Sequence, residues 1–462
     1  SRCRIYPRKT MRLRKTITTI VATAILLAGW QLFAVIANQP ELIPSLPRLV
    51  RTLCEWLVSG SFYQSVGATI LRGILGMSIS FVCAIGMAGL FARFEWVYEL
   101  FRPLLAIMRS IPVISFILLA LIFLNPESIP LMIAFLTMFP LLTENLTRGI
   151  LDLRPGLSIM ARQFHIKRSN VLFQIIYPQL KPFLYSGLAS AAGFGWRAII
   201  MGEVLSQCAF GIGSEMKRAQ NFIAVPELLA WTIVAVFISF FFDKGISKVA
   251  DITPKISFAN EDQTIPTPTL SVLDTKDISY QYGIQHFSHS FQKGIIYGIS
   301  APSGKGKTTL LNLIGGILLP TEGEIHPTRH FGIATIFQQP QLLPHLTAEE
   351  NIILPLSSFL TEEKARRIAQ KHLQEMEMEP FGNRYPKELS YGQQQRIAIA
   401  RALAYPSPLL LMDEPFKGLD EALSHRIIER IREKQMKEER IILFTSHNPD
   451  EIRLLADEVI YL

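Results

Sequence analysis

The chain has 462 residues, room for two or three domains. Apolar residues make up 49% and charged residues only 18%, against about 25% charged in soluble proteins, which argues against a wholly soluble chain. The formal net charge is +8, and Arg2, Arg4, Arg8, Lys9, Arg12, Arg14 and Lys15 stand in the first fifteen residues with no acid among them; just before an apolar run, such a cluster reads as the cytoplasmic flank of a membrane helix rather than a nucleic-acid-binding arm.

Met11, followed by Arg-Leu-Arg-Lys, reads as a start, with residues 1–10 outside it. The apolar run from Thr16 to Ala37 is too long for a signal-peptide core and long enough to cross a bilayer. Further apolar runs bring the expectation to about six spans, at 16–37, 64–92, 100–124, 129–147, 183–206 and 228–247. Basic residues orient them. Arg93 and Arg102, then Arg148, Arg154, Arg162, Lys167, Arg168 and Lys181, and finally Lys244, Lys248 and Lys255 all fall on the side of the N-terminus, so both ends are expected inside.

Loop 148–182 reads as a short amphipathic helix, then Lys167-Arg168-Ser169-Asn170, then a helix running to Tyr177-Pro178. Within the spans, Arg72, Glu144, Arg197 and Glu203 would each cost ~3 kcal/mol at mid-bilayer. Snorkelling or burial at a helix end accommodates Arg72 and Glu144. Arg197 and Glu203 fall on differing faces of one helix, and one of them is a candidate to line a solute path. Cys3, Cys54, Cys83 and Cys208 form no CxxC pair, and Cys54 and Cys208 both fall in outer loops, where a disulfide is conceivable. Residues 251–269 are polar, lack periodicity and contain Pro254, Pro266 and Pro268, which reads as an extended tether.

From residue 270 the chain reads as an α/β domain. Ala301-Pro302-Ser303-Gly304-Lys305-Gly306-Lys307-Thr308-Thr309 follows the strand-like run Ile295–Ser300 and opens a helix, the context a phosphate loop requires. Its glycines let backbone N–H groups converge on phosphate oxygens, with the helix N-terminus adding a favourable field. Lys307 would reach the β- and γ-phosphates, and the Thr308 hydroxyl would hold Mg²⁺. Leu409-Leu410-Leu411-Met412-Asp413-Glu414 is a buried strand ending in two carboxylates; Asp413 is suited to hold Mg²⁺ through water, Glu414 to act as general base. Between them, Leu389-Ser390-Tyr391-Gly392-Gln393-Gln394-Gln395-Arg396 contains a Ser-x-x-Gln capping box. Taken alone, that octad is a helix start. Beyond, the strand Ile441–Thr445 leads to Ser446-His447.

These four elements, in this order, resemble the nucleotide-binding domain of ABC transporters, and the octad resembles that family's signature. The resemblance implies further roles. Gln338, or its neighbour Gln339, matches the Q-loop glutamine that touches Mg²⁺. Asp420 matches the D-loop, which crosses a dimer interface, and His447 the switch histidine at the γ-phosphate. Tyr282 matches the aromatic that stacks on adenine, with Tyr280 as the alternative. Ser390, Gly392 and Gln393 match the signature groups that meet a γ-phosphate held by a partner chain. Ala301, Lys305 and Tyr391 replace the family's usual glycine, serine and glycine. Fifteen residues follow His447, too few for the regulatory stretch that many importer ATPases carry.

The loop at 148–182 resembles the coupling loop of ABC importer permeases. Only Ala161 and Pro178 match its pattern; Ile159 stands at the family's glutamate and His165 at its glycine. Phe101-Arg102-Pro103-Leu104 through Arg109-Ser110-Ile111-Pro112, with Gly195-Trp196-Arg197 and Glu203, is similar to permeases of the nitrate, sulfonate, taurine and thiamine-precursor importers. The resemblance implies a membrane α-helical permease domain at 11–250, a linker at 251–269 and an α/β P-loop ABC ATPase domain at 270–462. It implies ATP and Mg²⁺ as ligands, and a dimer with a second copy or a related chain. A separate extracytoplasmic substrate-binding protein and membrane lipid complete the expected partners, in the inner membrane of a prokaryote. Export, or signalling across the membrane without solute movement, are the competing readings.

Overall fold

In the helix Gly60–Arg93, Ser65, Thr69, Gly73, Gly76, Ser80 and Ala84 recur three or four residues apart, and all are buried. Such a stripe lets helices approach closely where no hydrophobic effect drives them together. A Cβ on Gly76 would meet the Ala134 methyl at 2.6 Å, and one on Gly195 would collide with the Met138 side chain. The computed structural model describes residues 8–250, 254–263, 270–281, 283–302, 304–327 and 332–462. Arg2 and Arg4 and the side chains of Arg8, Lys9, Arg12, Arg14 and Lys15 lie outside what is described, as does Cys3.

Contacts divide the described residues into two units. The first is Ser1–Asp152 with Leu180–Ile252; the second is Leu153–Gln179 with Thr253–Leu462. The first unit contains α1 (Arg8–Ala37), α2 (Leu46–Trp56), α3 (Gly60–Arg93), α4 (Glu95–Ser110), α5 (Val113–Phe123) and α6 (Ile129–Leu151). In the loop that follows, α7 (Pro155–Gln163) and the short α8 (Arg168–Asn170) belong to the second unit, and a π-helical stretch, Val171–Ile176, runs on into α9 (Tyr177–Ser206). The first unit closes with α10 (Ile212–Asn221) and α11 (Val225–Ala250).

Among the described residues, four helices are long and apolar enough to cross a membrane: Gly60–Arg93, Pro126–Leu151, Arg168–Ser206 and Val225–Lys248. The expected span at 100–124 is made of α4 and α5, bent by 95°. Ile111 is extended at ψ 130 and Pro112 sits at φ −57, because a residue before proline is driven out of the helical region. The expected span at 16–37 falls within α1, whose counted apolar stretch is Val21–Ala37.

Three of the four charges in the spans are paired rather than snorkelling. Arg72 donates to Glu203 and Glu127 at 2.7 Å each. Glu203 is fully buried and also accepts from Thr69 Oγ1 and the Gly213 N–H at 2.9 Å. Glu144 pairs with Arg109 and Arg148, while Arg197 lies on the exposed face of α9. Cys54, Cys83 and Cys208 are free thiols, so the conceivable bridge between Cys54 and Cys208 is not formed.

In the second unit, β1 (Val272–Tyr280), β2 (Ile284–Gln292) and β4 (Glu322–His326) form an antiparallel sheet in the order β2-β1-β4. A parallel sheet in the order β5-β6-β7-β3-β8 is built from β3 (Ile296–Ser300), β5 (Ala334–Ile336), β6 (Leu409–Asp413), β7 (Ile441–Thr445) and β8 (Glu458–Tyr461). Every residue of β6 and β7 is buried, which is why both read as continuous apolar runs. The helices are α12 (Lys307–Ile314), α13 (Ala348–Leu356), α14 (Glu362–Glu375), α15 (Tyr391–Ala404), α16 (Glu421–Glu438) and α17 (Pro449–Leu455).

Of the expected tether, 251–253 and 264–269 lie outside the described residues. The part between is extended but not loose: Ala259 N–H donates to Ser357 O at 3.0 Å and Gln263 N–H to Phe359 O at 2.8 Å.

Candidate functional site

Three neighbouring strands of the parallel sheet end at one edge. Register pairs Asp413 with Thr445, and Thr445 with Ile299 just before the end of β3. Ligands of open α/β sheets bind at such carboxyl ends. The loop after β3 begins with Ala301 and Pro302; Gly304 has φ +81 and Gly306 φ +90, conformations that side chains strain to adopt. Gly306 also caps α12, and a Cβ there would stand 2.7 Å from Gly283 O. Lys305 is exposed and Thr309 half-buried on the first turn of α12; Ser303 lies outside the described residues.

Lys307 is 7% exposed, and its ammonium donates to Ala301 O at 2.6 Å. It lies 3.5 Å from Nδ1 of His447. Thr308 Oγ1 donates to Asp413 Oδ2 at 2.9 Å, and Thr445 Oγ1 donates to Asp413 Oδ1 at 2.7 Å. Both oxygens of Asp413 are thereby aimed. A hydroxyl beside a fixed carboxylate is a hard-oxygen set, and it fits Mg²⁺ held jointly with substrate phosphates.

Glu414 sits at φ +49, a costly conformation held by the Glu414 N–H donating to Thr445 Oγ1 at 3.0 Å. Its carboxylate meets Lys417 Nζ at 3.1 Å, His447 Nε2 at 3.1 Å and Gln338 Nε2 at 3.4 Å. Burial pushes its pKa up, but the hydrogen bond and charge of Lys417, then Gln338 and His447, outweigh it and hold the carboxyl below its usual value. Gln338, rather than Gln339, supplies the amide that reaches Glu414.

The octad forms the expected capping box. Gln393 N–H donates to Ser390 Oγ at 3.3 Å, and Ser390 N–H to Gln393 Oε1 at 2.9 Å. Those two N–H groups are thus used within the box, leaving those of Tyr391 and Gly392, beyond reach of any preceding helical carbonyl. A Cβ on Gly392 would meet Gly418 O at 2.6 Å. Asp420 caps α16, accepting from Leu423 N–H at 2.9 Å. Within one chain, then, Ser390, Gln393 and Asp420 serve their own helix starts and do not join the cluster around Glu414. Tyr282 lies outside the described residues, and Tyr280 ends β1 half-buried.

Sequence reasoning missed several partners. Thr445 was signalled only by its place before Ser446-His447, and Lys417 only by standing three residues after Glu414. The inner loop held more. Gln163 is buried, its side-chain amide donating to Gly315 O at 2.9 Å and its backbone carbonyl accepting from Ile333 N–H at 2.7 Å. Phe164 is fully buried, edge-on to Tyr405 at 5.1 Å, with the Arg401 guanidinium 5.4 Å from its ring centre. Arg401, itself fully buried, donates to Pro340 O at 2.9 Å and Gln341 O at 2.8 Å; burial lowers its pKa to about 10. Ile159, at the family's glutamate position, lines a cavity with Gly156, Thr308, Gln338 and Asp413. The loop departs from its family's pattern yet docks, through different side chains.

Two family models match different stretches: ABC transporter over residues 284–417, and binding-protein-dependent transport system inner membrane component over 66–243. An ABC transporter ATP-binding protein of Methanocaldococcus jannaschii is 34% identical over 201 residues, 39% of this chain and 85% of that protein. A thiamine import ATP-binding protein of Yersinia pseudotuberculosis is 34% identical over 205 residues, 41% of this chain and 86% of that one. An Fe(3+) ions import ATP-binding protein of Rhizobium etli is 35% identical over 189 residues, 39% of this chain. The matched region spans about half of that relative, 54% of its length. With an inner-membrane component model matching upstream of an ABC transporter model, and a relative of 34% identity matched over 85% of its length, the chain belongs to the ABC transporter family.

Proposed function

We propose that this chain imports a small polar solute across the inner membrane of a prokaryote, driven by ATP, with permease (11–250), linker (251–269) and ATPase (270–462) fused in one polypeptide. The observation that carries the reading is one chain matching both an importer-type inner-membrane component and an ATP-binding cassette. The basic inner loops support an ATPase on the cytoplasmic side. A small organic anion or a vitamin precursor fits the permease resemblance, and solute would be delivered by a separate extracytoplasmic binding protein.

In the proposed reaction the loop 301–309 wraps the phosphates, Lys307 neutralises the β- and γ-oxygens, and Tyr282 stacks on adenine. Thr308, Gln338 and Asp413 would hold Mg²⁺, which when bound offsets phosphate charge. Glu414 orients the attacking water and accepts its proton, while His447 contacts the γ-phosphate and holds the Glu414 carboxylate in line. Ser390, Gly392 and Gln393 of a second copy or related chain close over that nucleotide, with Asp420 at the shared interface. Lys305 adds a positive charge near the phosphates.

Sealed proteoliposomes with MgATP on the ATPase side test the direction. Labelled sulfonate, nitrate or thiamine precursor is expected to move toward the ATP side, and only with a binding protein present. ATP-driven movement away from that side, with no binding protein, would establish an exporter instead. Within the site, Gly306→Ala is expected to weaken MgATP binding about ten-fold, because strain at such backbone positions costs about 1–3 kcal/mol. Equilibrium nucleotide binding measures it; unaltered affinity would remove this loop from the phosphate site.

A further inference from the structure

We infer that Tyr391 is a positioning residue for ATP hydrolysis, acting on Glu414 of its own chain through Gln338. The inference rests on the ATPase reading above and deepens it. Tyr391 stands at the signature position where the family more often carries glycine, so a generic signature supplies no side chain for this work.

Its phenol donates to Gln338 O at 2.8 Å, and the amide of the same Gln338 approaches Glu414 Oε1. The Tyr391 ring lies against the turn after Glu414: a Cβ on Gly418 would come within 2.7 Å of it. That turn also carries Lys417, which bonds the other oxygen of Glu414 at 3.1 Å. One side chain therefore rests on both segments whose groups hold the Glu414 carboxylate. The start of α15 is itself fixed to this turn. Gln395, fully buried, donates to Pro415 O at 3.0 Å, and Gly392 packs on Gly418 O. Tyr391 thus spans two loops from a fixed base, and its hydroxyl sets where Gln338 stands relative to Glu414. Tyr391 is 42% exposed, so its removal leaves no buried cavity and a purely structural role has little to act on.

The geometry gives a specific kinetic expectation. Losing the phenol frees the Gln338 backbone without touching the phosphate loop, so turnover falls and ATP affinity does not. The full-length chain in proteoliposomes, with MgATP as the probe, tests this. Tyr391→Phe is expected to lower kcat about five-fold, the effect of one neutral hydrogen bond, with KM for ATP unchanged. Tyr391→Gly is expected to lower it further, since the ring contact with the Gly418 turn goes too. In a Gln338→Ala background, Tyr391→Phe is expected to add nothing, because the two act in series. Wild-type kcat in Tyr391→Phe would overturn the inference, as would an undiminished effect in the Gln338→Ala background, or a loss that merely follows a lowered melting temperature. Glu414→Gln, measured alongside, separates the failures. If it too leaves turnover unchanged, the ATPase reading itself is at fault; if it abolishes turnover while Tyr391→Phe does nothing, only this inference falls.

Discussion

Glu414→Gln is expected to lower ATP turnover by about 10²–10³-fold, the usual contribution of a positioned general base. The substitution keeps the size and planarity of the side chain. It keeps the φ of +49, which the Thr445 hydroxyl stabilises through the backbone N–H rather than the side chain. What it removes is the carboxylate charge that Lys417, His447 and Gln338 surround. In the proposed reaction phosphate binding draws on the loop 301–309, whose described residues Glu414 does not touch, so affinity for MgATP should stay within about two-fold, since only transition-state stabilisation is lost. Turnover in proteoliposomes and equilibrium ATP binding together check this; retained turnover, or lost binding, would take the role of base away from Glu414. The carboxyl is held below its usual pKa, so it is ionised above that value. Its protonation should depress the wild-type rate only at pH below the usual carboxylate range.

The legible parts of this site are those whose chemistry demands consecutive residues. A phosphate loop needs Gly304, Gly306, Lys307 and Thr308 close together because one turn must wrap one group. The two strand-end carboxylates and the capping box at Ser390 are contiguous for similar reasons. Thr445 was not legible, because its place beside Asp413 comes from sheet register, which no local pattern states. Arg401 carries no local signal of its partners. Only the fold sets its guanidinium on Pro340 O and Gln341 O and against Phe164.

The membrane half divides the same way. Apolar length locates most of the spans, but over 100–124 it does not show the bend at Ile111-Pro112. The restriction on the residue before a proline, not hydropathy, decides that region. Arg72 and Glu203 each read as a lone charge in an apolar helix. Their partnership depends on α3 and α9 meeting, and it converts two costly residues into one satisfied network with Thr69, Glu127 and Gly213. A buried pair of this kind is weak evidence for stability, since removing either partner strands the other charge.

Phe164→Ala is expected to lower solute uptake by about a hundred-fold while ATP turnover stays within about three-fold. Deleting a buried phenylalanine costs about 3–5 kcal/mol, and here the loss falls on the packing of the loop segment against Tyr405 and Arg401. Phe164 is the fully buried anchor of the segment Leu153–Gln179, which packs with the ATPase residues although it is the stretch of chain joining α6 to α9. Its ring sits on Tyr405 and under Arg401, and Arg401 holds the carbonyls of Pro340 and Gln341, two and three residues beyond Gln338. If the loop carrying Pro340 and Gln341 moves during hydrolysis, this ring is the contact through which the link between α6 and α9 would follow it. Glu414, Lys307 and Asp413 make no contact with Phe164, so the chemistry should run on without the transport it normally drives. Uptake and hydrolysis measured on the same proteoliposomes give the ratio directly. A proportional fall in both would mean that Phe164 only stabilises the fold, and unchanged uptake would mean that the loop transmits its motion through Gln163 and Ile159 instead.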